Sequence, residues 1–319
     1  MKIDYKIACL LSLLVAAGLA RAENEIAEFA VPEGYRPQAI KTGADGNLWC
    51  TEVMKHHILR ITPKGEITEF AVPGQGVGLL QGLAAGPDGN IWFTSRDQNT
   101  IRRVSTTGEF NGEFKVATNN AWLRQITAGP DGNVWFCEMS GNKIGRMTPK
   151  GELTEFAIPT ADSKPYRIEK GPDGSMWFTA WGKSKIGRIT MSGEITEFPL
   201  PHPGRELCPG ADGNFWYTAG TFIGRMTLKG EVTEFPIPSG ETNSVGIALG
   251  ADGNMWFCEF SKNKIGKITM EGKVTEIALP TPKSEPFCLT AGPDGNIWIA
   301  LQANRIARLS LSGPTTANK

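Results

Sequence analysis

Cysteine is scarce in this sequence, with 6 among 319 residues, and no two of them form a C-x-x-C pair. Setting aside Cys9 in the apolar N-terminal stretch leaves Cys50, Cys137, Cys208, Cys258 and Cys288. An odd set at such wide spacing excludes a disulfide framework and a structural zinc site. Buried thiols are the expectation, with one bridge, such as Cys258 to Cys288, left open for an oxidising compartment. Histidine is scarcer still, at His56, His57 and His202. There is no H-E-x-x-H, G-x-S-x-G or phosphate-binding glycine loop, so the common zinc-protease, hydrolase and nucleotide signatures are excluded. An excess of either charge is also missing: without Lys2, Lys6, Arg21 and Asp4 of the N-terminal stretch, the 33 basic and 33 acidic residues become a net charge of −2. Such a balance gives no global reason to bind nucleic acid or an anionic membrane. Finally, long apolar runs are absent. The longest, Ile7 to Ala20, falls short of the roughly 20 residues a spanning helix needs.

That run does carry a message. A Lys-bearing start, an apolar centre and the small-x-small ending Ala20-Arg21-Ala22 form a secretory signal peptide over residues 1–22, with cleavage expected before Glu23. The mature protein is therefore expected to be periplasmic or secreted. Cys9 precedes most of the apolar run, which argues against a lipid anchor.

What is abundant is repetition. Asp-Gly-Asn/Ser-apolar-Trp recurs seven times, and its tryptophans, Trp49, Trp92, Trp135, Trp177, Trp216, Trp256 and Trp298, are 43, 43, 42, 39, 40 and 42 residues apart. Each unit divides into four short, alternating, β-rich segments with turn signals between them, and no helical periodicity survives in the mature chain. The third unit reads as strands "WLRQITAG", "VWFCEM", "KIGRMT" and "ELTEFAIP". About 40 residues and four antiparallel strands mark a β-propeller blade. The last unit stops after "NRIARLSLSG", but "NEIAEFAVP" at residues 24–32 supplies the missing strand. The sequence thus predicts one seven-bladed β-propeller over residues 23–313, closed by its own N-terminal strand, with residues 314–319 as a disordered tail. The Asp-Gly pairs read as turns, and the tryptophans as filling between neighbouring sheets.

In such a ring, the start of each first strand and the residue four after each Trp converge on one channel mouth. The first set is Gln38, Gln81, Arg124, Tyr166, Arg205, Val245 and Phe287, with Arg36, Leu79, Trp122, Lys164, Pro203, Asn243 and Glu285 two residues earlier. The second set is Val53, Arg96, Met139, Trp181, Gly220, Phe260 and Gln302. These are the least repetitive positions of the repeat. From them, Arg36, Gln38, Gln81, Arg96, Trp122, Arg124, Lys164, Tyr166, Trp181, Arg205, Phe260 and Phe287 form the candidate ligand-binding set. Guanidinium groups among aromatic faces suit a planar or anionic ligand. The alternative is that the cations pair with Glu52, Glu138, Glu259 and Glu285. Of the histidines, His202 is the one expected near the channel and the catalytic candidate, whereas His56 and His57 lie further out along their blade.

The repeats "GPDGNVWFCEMSGNKIGRMTPKGELTEF" and "ADGNMWFCEFSKNKIGKITMEGKVTEI" resemble those of the streptogramin B lyase (virginiamycin B lyase) family, over residues 24–313. The resemblance implies a Mg²⁺-dependent elimination that opens a cyclic depsipeptide at its ester. It also implies a site built from an E-P-H motif, a second metal glutamate, a substrate histidine and an aromatic tyrosine. Carried over position by position, E-P-H falls on Glu285-Pro286-Phe287, the second glutamate on Gln302, the substrate histidine on Val245 and the tyrosine on Gln38. Glu285 keeps its carboxylate. Gln302 could coordinate only through a neutral carbonyl, phenylalanine accepts no proton, and valine makes no hydrogen bond. The expectation is a monomeric, lyase-like propeller that binds a small molecule or peptide at the mouth without the family's reaction. Two alternatives remain: a lyase or hydrolase of altered chemistry at the same mouth, using His202 or an acid as base and Glu285 as residual metal ligand, and a protein-interaction scaffold.

Overall fold

The computed structural model describes residues 25–74 and 78–311. The expected signal peptide, its cleavage point and the tail at 314–319 lie outside them. Seven four-stranded antiparallel sheets make up the described chain. Six are consecutive meanders. The seventh joins Pro286–Ala291, Ile297–Leu301 and Arg305–Leu309 to the strand Ile26–Ala30, with Ile26 opposite Leu309 and Ala30 opposite Arg305. The N-terminal strand therefore closes the ring as the sequence predicts, and it pairs the edge of Arg305–Leu309 that would otherwise be open. We number the blades by their tryptophans, from Trp49 in blade 1 to Trp298 in blade 7.

Each blade is fastened to the next through its tryptophan. In blade 3, Trp135 is fully buried and packs with Ile168, Met176 and Phe178 of blade 4. Its indole stacks on Phe156 at 5.5 Å, and Arg146 covers it at 5.4 Å from the guanidinium carbon to the ring centre. Asp131 does more than the turn duty read from the sequence. It accepts the Trp135 indole N–H at 3.0 Å and the Asn133 backbone N–H at 3.2 Å. The same Asp–Trp bond occurs in all seven blades. Where blades meet at their outer turns, only glycine fits: at Gly151, with φ of +89°, a Cβ would stand 2.4 Å from the ring of Phe114 in the blade before.

Two local expectations need correction. The second strands do not alternate; Val134–Glu138 and its counterparts are buried along their whole length, because neighbouring sheets cover both faces. Nor is the fold wholly without helix, since Trp181–Lys183 and Phe260–Lys262 are single 3-10 turns. The five cysteines among the described residues are unpaired, including Cys258 and Cys288. No helix among the described residues is long and apolar enough to cross a membrane.

Candidate functional site

First strands enter at the mouth, and threonines of the second strands fix their backbone there. Thr94 donates its hydroxyl to the Arg124 carbonyl at 2.8 Å, and Thr179 does the same for Arg205 at 2.9 Å. Gly82 lets blades 2 and 3 approach, since a Cβ there would lie 2.6 Å from the Arg124 carbonyl oxygen.

On this frame the side chains form an alternating ladder of cations and rings. Arg96 lies 5.2 Å from the Trp122 ring centre; Arg124 lies 5.9 Å from Trp122 and 4.8 Å from Tyr166. Arg205 lies 5.3 Å from Tyr166 and 5.6 Å from Phe287, which Phe260 meets edge-on at 6.3 Å. A guanidinium held between rings loses little entropy on binding. Arg124 donates to Gln81 Oε1 at 2.8 Å, and Arg205 to the Tyr166 hydroxyl at 3.2 Å. Neither forms an ion pair among the described residues, unlike Arg36, which pairs with Glu285 at 3.3 Å, and Arg96, which pairs with Asp97 at 2.7 Å. Burial lowers the Arg124 pKa from its ordinary value, and the nearby Arg205 and Arg96 charges push it the same way.

Three hollows follow the ladder. The largest, about 550 Å³, is walled by Arg124, Tyr166, Trp181, His202 and Arg205 from the expected set, together with Met139, Gly220 and Asn243. Gln38, Gln81 and Phe287 line a narrow throat of about 20 Å³ beneath the mouth, with Arg124 and Tyr166. Arg96 and Trp122 face a separate hollow of about 320 Å³ with Asp97, Asn99 and Asn120. Lys164 is exposed, with φ of +49°, and belongs to none of these walls. Arg167 and Glu206 also line the throat, where Arg167 is buried and paired with Glu169 and Glu206.

The shape of the large cavity comes from blade 5. Its repeat is the short one, and the hairpin after its second strand shrinks to Gly220 and Thr221. A Cβ on Gly220 would meet nothing within 4 Å. His202 forms part of this wall; its Nδ1 lies 2.6 Å from Glu234 Oε2, and its ring stacks on Phe222 at 4.6 Å. His57, in contrast, lies against Tyr35 at 5.2 Å. Sequence reasoning missed Glu234, Phe222, Thr221 and Ser244 at this site; the 40-residue spacing from Trp216 to Trp256, which contains them and the shortened hairpin, was the available signal.

At the positions to which the resemblance carries the metal ligands, the Glu285 carboxylate is held by Arg36, and Gln302 donates its amide N–H to Gln38 Oε1 at 2.7 Å. Val245 is buried. Of the carboxylates expected to pair with mouth cations, Glu52 instead accepts the backbone N–H groups of Arg36, Met54 and Lys55 at 2.6 to 2.7 Å. Glu138 and Glu259 are buried with no hydrogen bond to either carboxylate oxygen. Burial and the nearby Glu155 push Glu138 up to about 7.

Comparison with known proteins agrees with this architecture. Virginiamycin B lyase from Staphylococcus aureus is 34% identical and superposes with a TM-score of 0.85, over 91% of this chain and 100% of that one. A streptogramin B lyase is 33% identical, with a TM-score of 0.86 over 90% of this chain and 98% of that chain. A catalytically inactive form of the Staphylococcus aureus enzyme with quinupristin matches at 34% identity and a TM-score of 0.86, over 91% and 100% of the two chains. Among curated proteins, none matches the sequence. The sequence model of the virginiamycin B lyase family matches residues 16–207 and 204–319. With nearly the whole chain covered and the blades superposed, the protein belongs to the virginiamycin B lyase family.

Proposed function

We propose that this protein binds an anionic small molecule or peptide with a planar group at the channel mouth, and that it lacks the ring-opening elimination implied by its family. The observation that carries the reading is the pair Arg124 and Arg205: two guanidiniums fixed between aromatic rings, at one cavity, without carboxylate partners. Partly buried like charges repel, so an entering carboxylate removes an existing cost and gains charge-assisted hydrogen bonds. The cavity volume lies within the range of small-molecule sites, and the half-exposed Trp181 offers a ring face.

The chemistry of the family positions supports the second half of the proposal. Phe287 stands where the resemblance requires a base, and Val245 where it requires a substrate histidine. A hard divalent cation seeks several oxygen donors. Here the set supplies one carboxylate already matched by Arg36 and one neutral amide tied to Gln38, so the residues present do not fit Mg²⁺. The proposal takes the protein to act as a monomer in the periplasm or outside the cell, resting on the N-terminal signal pattern.

Titration calorimetry with benzoate and 4-hydroxybenzoate tests the binding. We expect binding that weakens about tenfold or more in Arg124→Ala and in Arg205→Ala, the worth of a lost charge-assisted pair. Affinity unchanged in both variants would sink the reading. Incubation with Mg²⁺ and a streptogramin B should leave the ring closed.

A further inference from the structure

We propose that His202 is the proton-accepting group of a hydrolytic site in the blade 5 cavity, acting on esters that carry a carboxylate. The proposal rests on the binding reading above for where that carboxylate sits, and adds chemistry to it.

It starts from three coordinated departures from the repeat. In blades 3 and 4 the glutamate of the fourth strand is answered by a lysine of the third strand and a hydroxyl of the connecting loop. Glu155 holds Lys143 at 2.7 Å and Thr118 at 3.1 Å; Glu197 holds Lys185 at 3.6 Å and Thr160 at 2.6 Å. Blade 6 builds the same joint from Glu276, Lys264 and Ser239. Blade 5 replaces every partner. The lysine becomes Phe222, the loop hydroxyl becomes His202, and Tyr217 stands where Phe136, Phe178 and Phe257 stand in the others.

The result is a chain of oriented groups. Tyr217 donates to Glu234 Oε1 at 2.9 Å, and Glu234 Oε2 takes His202 Nδ1 at 2.6 Å. Phe222 fixes the plane of the imidazole. With its lysine gone, Glu234 has the histidine N–H as its polar partner from the loop. A carboxylate only accepts, so it selects the Nδ1–H tautomer and leaves the lone pair on Nε2. A base oriented by a second group, itself oriented by a third, is the arrangement that activates a nucleophile. Blades 3 and 4 hold the same joint with Lys, Thr and Phe, and blade 1 holds it with Tyr35 on Glu69 at 2.6 Å, whereas blade 5 places a histidine on the carboxylate.

The cavity supplies the remaining parts. Arg124 and Arg205 stand in the same wall, one to hold the substrate carboxylate and one to face a developing oxyanion. The hydroxyl of Ser244 is donated to the Gly220 carbonyl at 2.8 Å, and water serves as the nucleophile. His202 Nε2 takes a proton from water as its oxygen bonds to the acyl carbon, and the carbonyl electron pair moves onto the oxygen. Collapse of that intermediate breaks the bond to the alcohol oxygen, which recovers the proton from the imidazolium. One ester and one water become an acid and an alcohol.

The test uses the mature full chain with 4-acetoxybenzoate, an ester with a planar ring and a carboxylate, and with phenyl acetate as its uncharged counterpart. We expect 4-acetoxybenzoate to be cleaved in preference, with a rate about 100-fold lower in His202→Gln, the usual worth of a general base. Tyr217→Phe restores the side chain used in blades 3, 4 and 6, so it should fold; as a positioning change it should alter the pH–rate profile as well as the rate. A protein that binds 4-hydroxybenzoate but cleaves no faster than buffer, or a His202→Gln variant at full rate, overturns this inference and leaves the binding reading standing. A protein that does neither overturns both.

Discussion

The two faces of the ring are built on one backbone and treat their side chains in opposite ways. At the turn face, seven Asp–Trp hydrogen bonds repeat at 2.8 to 3.1 Å, and the seven indoles are all but inaccessible. At the mouth, no two blades present the same combination of residues, Arg124 and Arg205 each lie beside a ring from another blade, and Trp122 and Trp181 are exposed to about 40%. The difference teaches where each task is carried. The repeat holds the ring together from the turn face and between the sheets, which leaves the mouth free to vary without loss of the fold.

Substitutions can break or sharpen that contrast. The largest effect belongs to Trp135→Ala, which empties the space between blades 3 and 4; chemical denaturation should show a loss of about 3 to 5 kcal/mol. Next comes a mouth-side group that opposes folding. Glu138 has a pKa raised to about 7 in the fold, above its unfolded value, so its favourable contribution is complete at acid pH and is lost as pH rises through 7. Glu138→Gln should therefore match the parent near pH 4 and exceed its stability at pH 8, by on the order of 2 kcal/mol. Asp131→Ala removes the bonds to the Trp135 indole and the Asn133 N–H, and should cost about 1 to 2 kcal/mol. The smallest change is expected for Arg205→Ala, within about 0.5 kcal/mol of the parent in stability, although it should be among the most damaging to ligand binding. A stability loss there comparable to that of Trp135→Ala would erase the contrast.

Much of this was legible because propeller geometry is written in spacing. The Trp intervals gave the number of blades, "NEIAEF" gave the closing strand, and counting from each Trp gave the mouth positions. What spacing cannot convey is pairing between residues far apart in the chain. It placed Arg36 and Arg205 in one group, although Glu285 neutralises the first and nothing described neutralises the second. It placed Trp122 and Trp181 together, although they face different hollows. It flagged His202 without Glu234, because that carboxylate comes from an outer strand 32 residues on. The full burial of the second strands was hidden for a related reason: both of their faces are covered by other blades, so no alternation is needed to place them.

The pairing of Ile26–Ala30 with Arg305–Leu309 makes one sheet from the earliest and latest parts of the chain. If the early strand is clipped away, the backbone of Arg305–Leu309 becomes a bare template, and a matching strand from another molecule can fill it. Two molecules that keep their leading strands and exchange them would each have seven complete sheets, so the same latch that finishes a lone ring can also link rings in pairs.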